Sequence, residues 1–174
     1  MLRTVAIVAT EQSGDFIGAE LALALLQKDA GLKVVGVCGP RMRAAGCHQL
    51  EDIKELSVMG FVDVLVNYRR LRRLQNRLIS SLLDQKVDVF IGVDGPDFNL
   101  PISKQLRKEG ILTAQYVCPQ AWAWREGRVR NIKSSVDLMF ALFPFEEEFF
   151  QSRGIETKFV GHPLAESISP SIPR

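Results

Sequence analysis

Histidine is nearly absent from this sequence: its 174 residues include two, His48 and His162, and three cysteines, Cys38, Cys47 and Cys118. The cysteines lie far apart along the chain with no metal-ligand spacing, so a zinc site built from His and Cys is excluded. An odd number of scattered thiols reads as reduced cysteines of a cytosolic protein, most of them small core residues. Long apolar runs are missing too. No stretch approaches the roughly 20 residues that a membrane-spanning helix needs. The opening MLRTVAIVATEQSGD has an apolar core too short for a signal sequence and runs straight into an acidic loop. Any membrane contact is therefore made from the surface. The net charge of +2 is too small to imply a nucleic-acid binder. The first loop is not GxGxxG and no GK[ST] occurs, which leaves dinucleotide and P-loop readings weak. Repeats and low-complexity segments are also lacking.

What is present is a chain long enough for one ordinary domain with a substantial core, with 47% apolar residues. Short β-branched runs alternate with helical patterns. TVAIVA (4–9), KVVGVC (33–38), VDVFIGV (87–93), ILTAQYV (111–117), VDLMFAL (136–142) and TKFVG (157–161) read as strands. Helices are expected over about 14–29, near 100–109, near 124–134 and near 145–153, with a short one after the GPRM turn; 48–55 is ambiguous. Continuous Val/Ile-rich strands joined by helices imply a parallel sheet covered on both faces. With right-handed crossovers this is an α/β, doubly wound Rossmann-like sandwich with a mostly parallel sheet. The core is expected to be finished by about residue 163. The boundary drawn here is a domain over 1–166, with the Pro/Ser-rich tail over 167–174 as a linker.

Ligands of such a sheet gather at the carboxyl ends of its strands, where three loops qualify. In TEQSGDFIG (10–18), Ser13-Gly14 opens a helix whose first amides favour an anion or a sugar hydroxyl. The alternative is a plain helix start with Asp15 favouring the dipole. In VFIGVDGPDFN (89–99), an apolar strand ends in Asp94, on a turn constrained by Gly95 and Pro96. Either this carboxylate ties the turn down, or it is a base that takes the proton of a sugar hydroxyl. Asp97 reads as a cap of the turn or of the next helix. The pair is DxxD with no third ligand nearby in sequence, which speaks against a bound divalent metal. In CPQAWAWREGRVRNI (118–132), Pro119 stops the strand, and two tryptophans two apart cannot share a helix face. One packs inward while the other is free to line a cleft; Arg125, Arg128 and Arg130 add charge for a phosphate or for a solvated face.

A fourth segment, ELSVMGFVDVLVNYRRLRRLQNRLISSLL (55–83), has a narrow polar stripe of Ser57, Gly60, Asp63 and Asn67 within an otherwise apolar stretch. That apolar face is wider than a surface helix normally buries. Arg69, Arg70, Arg72, Arg73 and Arg77 follow, with Leu71, Leu74, Leu78 and Leu82 on the expected core side. Apolar insertion beside cationic residues suits a membrane surface carrying anionic headgroups. A sandwiched helix, or an amphipathic strand over FVDVLV, is the competing reading.

Together the stretches EQSGDFIGAEL, GVCGPRMRAAGC, LSVMGFVDVL, GVDGPDFNLPISKQL, QAWAWREGRVRNI, LFPFEEEFF and FVGHPLAE resemble the lipid-A-disaccharide synthase family, glycosyltransferases of the GT-B fold from Gram-negative bacteria. The resemblance implies the N-terminal half of such an enzyme. It implies transfer of 2,3-diacylglucosamine from its UDP-linked form to 2,3-diacylglucosamine 1-phosphate, β-1,6 and inverting, with UDP released and no cofactor or metal. On that scheme Asp94 is the base. Glu11, Ser13, Gly14, Asp15, Asn99, Gln120 and Trp122 contact substrate. Val58, Met59, Phe61, Val62 and Leu65 meet acyl chains or the inner membrane, with Arg69, Arg70, Arg72 and Arg73 on headgroups or the acceptor phosphate. A nucleotide-binding C-terminal half is needed and absent from these residues, so the chain alone is expected to be inactive, cytoplasmic and peripheral on the inner membrane. Two departures stand out: the family usually has Gly at the position of Thr10 and Ala at that of Gly95. The alternative function is a non-catalytic peripheral membrane or lipid-binding module; a sugar-nucleotide epimerase lacks support with only two histidines.

Overall fold

The most apolar strands form the middle of the molecule. The structure, a computed structural model, describes residues 3–57, 64–120 and 126–167. Strands β1 (Thr4–Ala9), β2 (Lys33–Cys38), β3 (His48–Asp52), β4 (Val89–Val93), β5 (Leu112–Tyr116), β6 (Leu138–Ala141) and β7 (Thr157–Phe159) build one sheet in the order β3-β2-β1-β4-β5-β6-β7. Every pairing is parallel. β1 is buried along its whole length and β4 nearly so, because helices cover both faces and neither face needs polar residues.

Helices α1 (Gln12–Lys28), α2 (Pro40–Ala44), α3 (Lys54–Ser57), α4 (Val64–Asp84), α5 (Pro96–Lys108), α6 (Val129–Lys133) and α7 (Pro144–Gln151) lie between strands, and α8 (Pro163–Ser167) follows β7. The doubly wound parallel sandwich expected from the alternation is the one observed. The ambiguous stretch 48–55 resolves into an edge strand and the start of α3. The helix expected near 100 begins earlier, at Pro96, since proline at the first helical position gives up an amide that has no intrahelical partner anyway. The helix expected near 124–134 is shorter, a 3₁₀ turn at Glu126–Arg128 running into α6. Within FVDVLV, residues 64–66 are helical, which removes the strand reading for that part; 58–63 lie outside the described residues. Leu74, Leu78 and Leu82 are buried and Leu71 half-buried, as their spacing requires.

Strand order decides where a ligand can sit. From β1 the chain turns to β2 on one side; from β3 it crosses back through α4 to β4 on the other. The loops after β1 and β4 therefore diverge from adjacent strands, and a crevice opens between them. Ile7 and Phe90, from these two strands, and Leu78, Ile102 and Leu106 from the covering helices are fully buried in the core beneath.

The fold also brings together what the chain separates. Cys38 and Cys47 are both buried, with sulfurs 2.7 Å apart. Their hydrogen bond, then burial, push the Cys38 thiol above its ordinary value, and burial does the same to Cys118. All three are free thiols, packed in the core as small apolar side chains are.

Two carboxylates tie neighbouring strands at their amino ends. Asp88 accepts hydrogen bonds from the amides of Arg3 and Thr4 at 2.8 and 2.9 Å. Asp137 accepts from the Thr113 amide at 2.9 Å, the Thr113 hydroxyl at 3.0 Å and Arg107 Nε at 2.7 Å. The Thr4 and Arg3 amides hold Asp88 below the usual carboxylate range. Burial alone would raise Asp137, but the Thr113 amide and hydroxyl and the Arg107 guanidinium outweigh it and hold that carboxyl low as well. A depressed folded-state value means stability that is present above the unfolded-state carboxylate pKa and lost as the pH falls through the folded value. Asp137→Asn should therefore lower the melting temperature at pH 7, and the gap to the unsubstituted chain should narrow as the pH drops below about 4. Melting curves followed by circular dichroism between these limits check this; a gap that stays constant with pH contradicts it.

Candidate functional site

The first loop begins where β1 ends, and its acids divide their work. Glu11 precedes α1 and is exposed, while Ser13 lies in the first turn with its side chain in solvent. Asp15 is different: it is 3% exposed, and its carboxylate accepts from the amides of Gly39 at 2.8 Å, Arg41 at 3.0 Å and Met42 at 3.1 Å. It holds the turn that opens α2 against the start of α1, and it also borders the cleft that opens beside this helix. Three amides saturate most of its lone pairs and leave little for a ligand. Gly14, expected beside it in the ligand site, is buried as well. A Cβ there would come within 3.3 Å of the Val93 carbonyl, so its small size lets α1 seat on the tip of β4.

A cleft of about 490 Å³ opens beside this helix start, lined by Gln12, Ser13, Phe16, Arg41 and His162 among others. The Arg41 guanidinium stacks 5.3 Å above the Phe16 ring, a cation–π contact that keeps the charge at the wall. His162 accepts the Leu164 amide at Nδ1, at 3.1 Å. Arg41 and His162 were not singled out from the sequence; one looks like any surface arginine, the other like a lone turn histidine.

The carboxylate of Asp94 neighbours Ser13, one of the residues lining this cleft. Its Oδ2 lies 3.4 Å from the Ser13 hydroxyl, which donates over this long contact, and its Oδ1 accepts the Gly95 amide at 2.8 Å. The residue is half-buried at the carboxyl end of β4, the strand paired with β1. Its backbone is left-handed, with φ 57°, and Gly95 follows at φ 42°. Aspartate is among the few residues that visit this region, because its short side chain can bond locally. Asn99, expected to touch substrate, is fully buried beneath the turn, and its Nδ2 donates to the Asp94 carbonyl at 2.8 Å. It acts on the turn and has no exposed surface to offer a ligand. Asp97 sits in the first turn of α5 and forms an ion pair with Arg128, which joins α5 to the exit of the third loop.

Of the remaining expected residues, Gln120 is exposed, and Trp122, Val58, Met59, Phe61 and Val62 lie outside the described residues. Leu65 falls within α4. The arginines of that helix are not equivalent. Arg70 pairs with Glu55 at 3.0 Å and Arg72 contacts Gln75 at 3.4 Å, whereas Arg69 and Arg73 are exposed with no carboxylate partner among the described residues. Among the described residues no cluster of three His, Cys, Asp or Glu side chains is placed to hold a metal, and no helix is long and apolar enough to cross a membrane.

The two departures from the family pattern meet in space. A Cβ added to Gly95 would lie 2.2 Å from Thr10 Oγ1 and 2.5 Å from Thr10 Cγ2. The Thr10 side chain thus fills the volume that an alanine at 95 would take, and a glycine at 10 would vacate it. Gly95→Ala is expected to destabilise the chain by about 2–4 kcal/mol, from overpacking and a left-handed alanine. Adding Thr10→Gly should recover the overpacking and leave about 1 kcal/mol. Chemical denaturation of the two single variants and the double variant measures the coupling; strictly additive losses contradict the interlock.

Comparison with known proteins places this geometry. The family model for lipid-A-disaccharide synthetase matches residues 5–174. The chain is 46% identical over 164 residues to the lipid-A-disaccharide synthase of Alcanivorax borkumensis and 47% identical over 164 residues to that of Pseudomonas paraeruginosa. Each alignment covers 94% of this chain and 43% of the relative, so the chain spans less than half the length of the curated relatives it matches. Among solved structures, a putative UDP-N-acetylglucosamine 2-epimerase from Listeria monocytogenes superposes with TM-score 0.64 at 11% identity, covering 96% of this chain and 52% of that one. The UDP-GlcNAc 2-epimerase from Neisseria meningitidis, bound to UDP-GlcNAc, gives 0.64 at 14% identity over 96% of this chain and 47% of that one. At such identities these two speak for the sandwich fold alone. With its family model matched along nearly its whole length, the chain belongs to the lipid-A-disaccharide synthetase family.

Proposed function

We propose that this chain is the acceptor-side half of a glycosyltransferase that joins two acylated glucosamines, with Asp94 as the general base. The observation that carries the reading is the Asp94 carboxylate, held half-buried at the switch point of the sheet beside a cleft. Oδ1 is engaged by the Gly95 amide, while among the described residues Oδ2 has the long contact with Ser13 alone. That second oxygen is the one able to take a proton from a hydroxyl. The acceptor's 6-hydroxyl loses its proton to Oδ2 as its oxygen attacks the anomeric carbon of the UDP-linked sugar. The bond to the UDP oxygen breaks on the opposite face, UDP leaves with the electron pair, and the configuration inverts. A base within hydrogen-bond reach contributes about 10²–10⁴-fold to such a step.

The same cleft offers Gln12 and Ser13 at the start of α1 and Arg41 on its wall, with Glu11 exposed just before the helix, a set suited to the hydroxyl and amide groups of a sugar. The remaining length of the relatives is the proposed source of the UDP site, in a second half joined beyond α8. The exposed Arg69 and Arg73 on α4 support a peripheral seat on anionic lipid, where diacylated sugars reside. Proposed with them are Val58, Met59, Phe61, Val62 and Leu65 on the acyl side.

Two outcomes are expected. Joined to the C-terminal portion of the Pseudomonas paraeruginosa relative, the chain should release UDP only when both acylated sugars are present, and Asp94→Asn should slow that release about 10²–10⁴-fold. An asparagine variant that retains most of the rate removes Asp94 as base. In co-sedimentation with vesicles containing anionic lipid, the 174-residue chain should pellet at low salt, and Arg69→Glu with Arg73→Glu should abolish the effect. Pelleting that survives the double reversal removes the arginine contact and, if transfer also fails, leaves neither reading standing.

A further inference from the structure

Gln115 is a fully buried polar residue next to the carboxyl end of β5. Its Nε2 donates to three carbonyls: Asp94 at 3.0 Å, Tyr116 at 3.3 Å and Val117 at 3.4 Å. Three non-glycine residues among those described have left-handed backbones: Lys86, Asp94 and Val117. Two of the three are thus bound to one side-chain amide. Val117, at φ 73°, is the more unusual of the pair, since a β-branched side chain tolerates that region poorly. Asp94 ends β4 and Val117 follows β5, so the amide bridges the tips of two neighbouring strands.

The side-chain oxygen of Gln115 has no hydrogen-bond partner among the described residues, and neither has that of Asn99. A buried acceptor left unpartnered costs about 1–3 kcal/mol. Turning the amide over would not relieve this, because the oxygen would then face three carbonyls. An apolar side chain would avoid the penalty but would take this donor from both turns, leaving the Asp94 carbonyl with Asn99. Strained backbone persists where its surroundings over-determine it, and such places cluster at functional sites. Here the Asp94 carbonyl takes Gln115 from one side and Asn99 from the other, while the Asp94 amide donates to the Tyr116 carbonyl at 2.9 Å.

We propose that Gln115 is a positioning residue whose amide clamps the Asp94 turn to the Val117 turn, so that the base carboxylate is held in one fixed geometry. This rests on the reading of Asp94 as base, but its test does not use catalysis. Gln115 touches neither substrate nor the reacting atoms; it acts through the backbone of the two turns.

The test is nuclear magnetic resonance of the isotope-labelled chain. In Gln115→Met, similar in size but without donors, the amide signals of Gly95 and Val117 should move together and lose most of their exchange protection, while those of β2 and β3 stay. Thr113→Val, on the same strand, removes a buried hydroxyl bonded to Ser135 and Asp137. It controls for simple destabilisation and should leave both tips in place. A shift at one tip alone, or at neither, overturns the clamp. Should the methionine variant not fold, coupling through the hydrogen bond from the Gln115 side-chain nitrogen to the Asp94 carbonyl carbon can be read in the unsubstituted chain, and its absence overturns the proposal equally. Loss of the base role in the Asp94→Asn transfer assay would leave these signals unchanged, which keeps the two failures apart.

Discussion

Asp94 is held in a backbone conformation that most residues avoid, and the rest of the site depends on that hold. A left-handed non-glycine residue costs roughly 1–2 kcal/mol, and two hydrogen bonds to its carbonyl return a similar amount at about 1 kcal/mol each. The balance works only because three elements converge there. β1 delivers Thr10 against Gly95, α5 delivers Asn99 from below, and β5 delivers Gln115 from the side. Each is fixed by the parallel sheet, so the carboxylate's position follows from strand order as much as from its own turn. With β1 anywhere but beside β4, Thr10 and Ser13 would lie far from Asp94.

The chemistry of the site shows how one loop separates structure from function. Asp15 and Ser13 are two residues apart on a helix, so they point to different sides. One carboxylate turns inward and satisfies the amides of the next turn; the neighbouring hydroxyl turns toward the cleft. A buried charge without those three amides would be strongly unfavourable. The same separation runs through α4, where Leu74 and Leu78 seal the core while Arg69 and Arg73 face solvent. Membership of the lipid-A-disaccharide synthetase family fits a domain built this way, with a rigid sheet below and a polar, one-sided rim above.

The strands were legible because a parallel sheet covered on both faces needs unbroken apolar runs, and TVAIVA and VFIGV are such runs. Boundaries were less so. α5 starts at Pro96 because the constrained turn at Gly95 is also its first cap, a fact the hydrophobic period does not carry. Among site residues, Asp94 stood out as a carboxylate at the end of a core strand. Asp15 and Asn99 were assigned to the ligand because polar residues in loops suggest contact, whereas their partners turned out to be backbone groups distant in sequence. Gln115 gave no signal, since the carbonyls it meets belong to the tips of two strands and are not marked by any local pattern.

Local patterning, then, determined by itself that this chain folds as an alternating α/β sandwich, where six of its seven strands run and that an acid follows VFIGV. Periodicity is a short-range property, and each residue carries it into any fold it joins. What only the tertiary structure decided is which polar groups face inward and what they meet there. The pairing of Thr10 with Gly95, of Cys38 with Cys47 and of Gln115 with two strand tips spans 85, 9 and 21 residues or fewer. Such pairings arise when strands take their order in the sheet, because hydrogen bonds and packed volumes act over a few ångströms of space and are blind to distance along the chain.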